Sequence, residues 1–259
     1  MVAKIDRTGE KNINNFGSKM VVTEYRKNND IDVYFSEYDW TAKSVQYIAF
    51  KKGNIQCPYE RRHYRIGYLG EGKYKTRENG KMIKVYDTWH SMLTRCYDFK
   101  YHEKHPTYIN CEASEEWHNF QNFGYWYDNN HYEVEGEKMC LDKDILLKHN
   151  KIYSPKTCIF VPETINKLFL KRDSKRGKSA IGTSPLENGK YRVRCHMINP
   201  ETGKSKSEYL GLYDTQEKAF EIYKYYKEKN IKMVADYFRE QIPNKLYDAL
   251  YNYEVEIDD

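Results

Sequence analysis

Between Tyr191 and Cys195 the chain alternates residue by residue, with Tyr191, Val193 and Cys195 interleaved by Arg192 and Arg194. Only a strand repeats with period two, so the alternation puts the apolar set on one face of a sheet and both arginines on the other. A second strand runs from Ser207 to Tyr213 and ends in Gly211-Leu212-Tyr213-Asp214-Thr215, with Thr215 placed to cap a long helix. Along that helix Ala219, Phe220, Tyr223, Lys227, Ile231, Val234 and Phe238 recur at helical spacing, so its inner face can cover one side of the sheet. The other side is then expected to be open and basic.

The rest of the 259 residues reads as further small modules. Hydrophobic residues make up 39% and charged ones 31%, a globular mixture whose 26 tyrosines suit modest cores and wet interfaces. A net charge of +5 is too slight to identify a polyanion partner, but its distribution is uneven. Lys171 to Glu240 holds sixteen Lys/Arg against ten Asp/Glu, whereas Glu254, Glu256, Asp258 and Asp259 make the last residues acidic. No stretch approaches the roughly 18 apolar residues of a membrane span, and no signal-peptide core opens the chain, so an intracellular protein is expected. Six cysteines without a CxxC pair fit buried thiols better than a disulfide framework.

From Met20 to Ile55 three short runs, Met20–Val22, Ile31–Phe35 and Tyr47–Phe50, are separated by polar turns such as Lys27-Asn28-Asn29-Asp30 and read as a small β meander. Either protein contact or DNA contact suits it. Gly67, Gly70, Gly72 and Gly80 serve turns, because no Lys-Ser/Thr ending makes them a phosphate loop. Trp89, Met92, Leu93 and Cys96 mark one face of a helix. A second helix is expected to follow Ser114 as its cap, with Trp117, Phe120, Phe123 and Tyr127 forming an aromatic core stripe. Leu141 to Asn166 then reads strand, loop, strand, helix, and carries Asp142, Asp144, Asn150 and Asn166. The polar run Lys171–Lys178 is a linker; five positive charges against one negative suit phosphates as well as water.

Residues 180–237 resemble the plant ethylene-response-factor type of DNA-binding domain, also found in phage homing endonucleases. The resemblance is carried by Ile181-Gly182-Thr183, Gly189-Lys190-Tyr191-Arg192-Val193, Leu210-Gly211-Leu212-Tyr213-Asp214-Thr215 and Glu217-Lys218-Ala219-Phe220. It implies a three-stranded sheet lying in the major groove, with Arg192 and Arg194 contacting DNA and Lys190, Lys204 and Lys206 engaging phosphates. Lys175 and Arg176 of the linker join that set. Ser184-Pro185-Leu186-Glu187 stands where the family often carries basic residues.

The middle segment resembles phage proteins described as HNH endonucleases, through the Trp89–Tyr97 helix, Glu116-Trp117-His118-Asn119-Phe120 and the block from Leu141 to Asn166. The histidine that such chemistry uses to activate water is absent from Asp142-Lys143-Asp144. Three readings stay open. In one, Asp142 and Asp144 hold Mg²⁺ or another divalent ion, Asn150 or Asn166 orients the loop, and His118 or His149 supplies the base. In another, the finger is vestigial and only touches DNA. In the third, Cys96, Cys111, Cys140 and Cys158 meet around Zn²⁺.

The expected fold is therefore α+β. It consists of an N-terminal β module (1–60), a degenerate ββα-metal nuclease-like domain (61–170), a basic linker (171–179), a three-stranded antiparallel sheet on one long helix (180–240) and a tail (241–259). The expected partner is double-stranded DNA, met in the cytoplasm of a phage-infected bacterial host, with no membrane partner. The function is that of a homing endonuclease or nicking DNase, or else of a catalytically inactive DNA-binding regulator. A phage protein–protein adaptor working through the N-terminal β module is the remaining alternative.

Overall fold

The computed structural model describes residues 6–170 and 179–257. The chain is an α+β protein with several small sheets. Its contacts divide it into two compact units, Met1–Asn129 with Ile152–Ser154, and Asn130–Lys151 with Pro155–Asp259. The segment 61–170, read from the sequence as one domain, thus contributes to both.

The first unit opens with β1 (Lys11–Ile13), β2 (Lys19–Lys27), β3 (Asp30–Phe35) and β4 (Trp40–Val45), antiparallel neighbours in chain order. Ile31, Val33 and Phe35 alternate into the core, as a half-buried strand requires. The expected third strand at Tyr47–Phe50 is instead helical, as α1 (Tyr47–Lys51), and β4 takes its place in the sheet. The helix sets Tyr47 and Phe50 one turn apart, with ring centroids 5.9 Å from each other, so both reach the same core while Ile48 faces solvent. Glu60, fully buried, is held by Asn14 and Arg62. β5 (Arg77–Glu78) and β6 (Lys81–Met82) are joined by Asn79-Gly80, both at positive φ, which is the turn that Asn-Gly favours.

In α2 (Lys84–Tyr97) the buried side chains are Val85, Trp89, Met92, Leu93 and Cys96, the face that the spacing marks. Gly67 lies against it so closely that a Cβ there would stand 2.4 Å from Leu93 Cδ1. α3 (Phe99–Lys104) follows, and β7 (Glu112–Ala113) pairs in parallel with β9 (Ile152–Tyr153). The helix expected after Ser114 begins later. Residues Glu115–His118 form a 3-10 turn, and α4 spans Phe120–Asn130. Ser114 Oγ makes no capping bond, whereas Asn119 Oδ1 accepts the Gln121 N–H at 2.9 Å. Trp117, Phe120, Phe123 and Tyr127 are buried as core.

In the second unit β8 (Met139–Asp142) pairs antiparallel with β10 (Ile159–Pro162), which runs into the single turn α5 (Glu163–Asn166). Glu137 fastens that turn by accepting Thr164 N at 3.0 Å and Thr164 Oγ1 at 2.6 Å. β11 (Thr183–Pro185), β12 (Tyr191–Ile198) and β13 (Ser205–Tyr213) form an antiparallel sheet in chain order, packed on α6 (Gln216–Phe238). Thr215 caps α6 by accepting Lys218 N at 3.2 Å. Gly182, at φ +74°, lies under Tyr223: a Cβ there would stand 1.9 Å from the ring. The C-terminal tail region is folded through much of its length. It forms α7 (Asn244–Tyr251), with Leu246 and Leu250 fully buried, and a segment anchored by the buried Val255. Among the described residues no helix is long and apolar enough to cross a membrane.

Candidate nucleic-acid interface

The three-stranded sheet has one covered and one open face. Val193 and Cys195, both 0% exposed, lie on the covered side along with the buried Ala219, Tyr223, Ile231 and Val234 of α6. Alternation then places Arg192 and Arg194 on the other side, where Arg194 is exposed and Arg192 half-buried. Neither arginine forms an ion pair among the described residues, and Arg192 Nε is buried without a hydrogen-bond partner. The exposed Arg194 guanidinium is thus open to an outside acceptor, whereas Arg192 Nε is closed off from one.

The register adds residues that the sequence pattern did not single out. Arg192 stands opposite Leu212, Arg194 opposite Tyr209 and His196 opposite Ser207. Directly opposed residues share a face, so Tyr209 (57% exposed), Leu212 (43%) and His196 flank the arginines. The strand signal in Tyr209-Leu210-Gly211-Leu212 is broken because Leu210 is the extra residue of a bulge between Val193 and Arg194, with Gly211 at φ +119°. The bulge returns Tyr209 and Leu212 to the same side. Knowing that β13 pairs with Arg-x-Arg would have identified both.

The expected phosphate lysines lie on the sheet's turns and ends. Lys190 Nζ is 3.1 Å from Asp214 Oδ1 and Lys206 Nζ is 3.0 Å from Glu208 Oε1; both are exposed pairs that salt screens readily. Lys204 is exposed in the β12–β13 turn, which Asn199 Oδ1 shapes by accepting Glu201 N at 2.9 Å and Thr202 N at 3.2 Å. Lys175 and Arg176, with the rest of 171–178, lie outside the described residues.

At the strand end of β8, Asp142 Oδ1 accepts the backbone N–H of Asp144 at 2.9 Å and of Ile145 at 2.8 Å, closing a tight turn. Burial, with the neighbouring Asp144 charge, pushes the Asp142 carboxyl up to about 6. Lys143 Nζ, on a buried side chain, is 2.8 Å from Asp144 Oδ2. Asn150 donates Nδ2 to Lys143 O at 2.7 Å and ties the two ends of the loop. An ammonium group therefore sits on Asp144, where a divalent ion would have to sit, and Asp142 is turned into its own backbone.

These donors do not fit a metal as arranged, and no group of three or more His, Cys, Asp or Glu that could hold an ion occurs among the described residues. Cys96 and Cys111 belong to the first unit and Cys140 and Cys158 to the second, and none of them is in a disulfide. His118 also belongs to the first unit. Its Nε2 is 3.1 Å from Ala113 O, its Nδ1 is buried without a partner, and burial lowers its pKa. His149 Nε2 is 3.0 Å from Glu256 Oε2, a contact that the sequence pattern did not anticipate.

No family model, curated protein or solved structure matches this chain.

Proposed function

We propose that this chain is a phage-type DNA-binding protein that lays the open face of the β11–β12–β13 sheet into the major groove of a duplex. The observation that carries this reading is the division of β12: Val193 and Cys195 are buried on the α6 side, while the half-buried Arg192 and the exposed Arg194 lie on the opposite side. An Arg fork suits guanine O6 and N7, and the neighbouring Tyr209 and Leu212 suit apolar contact with thymine methyls or sugars. Lys190, Lys204 and Lys206 supply phosphate contacts that position the sheet without reading sequence. The likeness of residues 180–237 to ethylene-response-factor type domains supports the same docking.

Fluorescence anisotropy with labelled duplexes tests it. Affinity is expected to fall steeply with salt, with a log–log slope of about −0.9 per phosphate neutralised. Arg194→Ala is expected to cost about 1–3 kcal/mol on a preferred sequence and to relax selectivity, whereas Lys204→Ala weakens all sequences alike. Salt-independent behaviour, or an Arg192→Ala/Arg194→Ala protein that binds as the wild type does, would sink the proposal.

A second reading, phosphodiester hydrolysis by a ββα finger of the HNH kind, draws on the order β8, β10, α5 within one unit. Against it stand the Lys143–Asp144 pair and the inward turn of Asp142. Incubating supercoiled plasmid with Mg²⁺ or Mn²⁺ separates the two. Nicking that vanishes in Asp142→Ala/Asp144→Ala makes the chain a nuclease; tight binding with intact plasmid makes it a regulator.

A further inference from the structure

Besides the sheet, the second unit carries a lysine and a histidine that together meet one carboxylate. The C-terminal segment is fixed at Val255, whose N–H is donated to Glu228 Oε1 at 2.8 Å and whose carbonyl accepts Lys224 Nζ at 3.1 Å, and again where Ile257 O accepts Ile181 N at 3.3 Å. Between these anchors Glu256 reaches the loop that follows β8. Its Oε1 lies 3.3 Å from Lys148 Nζ and its Oε2 lies 3.0 Å from His149 Nε2. Lys148 is further placed by donating to Glu254 O at 2.7 Å and by lying 4.6 Å from the centre of the Tyr253 ring. His149 sits at φ +61°, a backbone region that non-glycine residues seldom occupy.

One nitrogen on each carboxylate oxygen, Lys148 Nζ on Oε1 and His149 Nε2 on Oε2, is a two-pronged grip, and the two non-bridging oxygens of a phosphodiester offer it the same pair of acceptors. Glu256 is half exposed, so water and a competing anion can reach it. Its backbone neighbours are held independently, so the carboxylate can leave without freeing the segment. We propose that Lys148 and His149 form a phosphate-binding site that Glu256 occupies in the free protein and that a DNA phosphate takes over on binding. This rests on the duplex-binding reading for the identity of the phosphate, but not for the existence of the anion site. Glu256 then acts as an internal competitor that raises the threshold for non-specific binding.

The test uses the full chain, as wild type, Glu256→Gln and Glu256→Gln/Lys148→Ala/His149→Ala, with two probes. Against a labelled duplex at low salt, Glu256→Gln is expected to bind about 3–10-fold more tightly and to steepen the salt slope by about one to two contacts, and the triple variant to lose both gains. Inorganic tripolyphosphate, followed by the His149 ring signals in NMR, is expected to shift them at lower concentration in Glu256→Gln than in the wild type. Unchanged behaviour of Glu256→Gln toward both probes overturns the proposal. So does a gain that persists without Lys148 and His149, which would make it a general charge effect. If no variant binds duplex while tripolyphosphate still shifts His149, the DNA reading falls and the anion site stands; if tripolyphosphate shifts nothing, the site falls whatever the duplex does.

Discussion

Asn230 of α6 performs the work of a missing strand. β11 pairs with β12 only over Tyr191–Val193, so among the described residues the far end of β12 has no neighbouring strand on that edge. Asn199 donates its N–H to Lys204 O at 2.9 Å, which makes the adjoining Ile198–Ser205 couple the non-bonded kind and turns the Ile198 N–H and C=O outward. Asn230, 0% exposed, meets both: Oδ1 accepts Ile198 N at 2.8 Å and Nδ2 donates to Ile198 O at 2.9 Å. Asn230→Ala leaves two buried backbone groups unsatisfied, each worth ~1–3 kcal/mol, so a loss of about 2–6 kcal/mol is expected. For a unit of this size that is a fall of roughly 10–20 °C in Tm.

Asn230→Asp discriminates further. It keeps the acceptor, loses the donor and buries a carboxyl against a carbonyl, so its folded pKa is raised. The penalty is present when pH exceeds that pKa and disappears as pH falls and the protonated acid regains a donor. All four tryptophans, Trp40, Trp89, Trp117 and Trp126, lie in the first unit, so none is a probe within the unit that holds Asn230. Amide hydrogen exchange at Ile198 and along α6, with urea unfolding followed by circular dichroism, does report it. An Asn230→Ala loss under about 0.5 kcal/mol, or an Asn230→Asp protein as stable as wild type at pH 8, would refute the account.

Gly182→Ala is expected to destabilise the second unit by at least ~2 kcal/mol in urea unfolding, since it combines φ +74° with a Cβ 1.9 Å from Tyr223 Cδ2. His63 is held at a pKa of about 4 by burial and then by the His90 and Arg62 charges. Its contribution is complete above pH 6.5 and lost as pH falls toward 4, so His63→Phe is expected to flatten the wild-type decline over that window by about 1–3 kcal/mol in pH-dependent unfolding. Asp142→Asn preserves the oxygen that Asp144 N and Ile145 N need, whereas Asp142→Ala removes it. Thermal melts are expected to show near-wild-type stability for the first and a loss of about 1–2 kcal/mol for the second.

Local periodicity was enough to determine the covered and open faces of β12, the Trp89–Cys96 stripe, the Thr215 cap and the aromatic core of α4. Each depends on residues within one element, where geometry fixes which side chains share a side. It misread Tyr47–Phe50 because a four-residue apolar run fits a strand or one helical turn equally, and the choice fell to the core that Tyr47 and Phe50 both fill. It misplaced the α4 cap because Ser114 and Asn119 are both capping residues, and the intervening 3-10 turn is fixed by Trp117 in the core.

The pairing of Tyr209 with Arg194, the clasp of Asn230 on Ile198, the ammonium of Lys143 on Asp144 and the seat of Glu256 on Lys148 and His149 were settled only by the tertiary fold. Each joins groups whose meeting depends on a bulge, a turn or a long-range return of the chain. Residue type tells what such a group can bond. Which partner it meets is decided when burial leaves it a single one within reach.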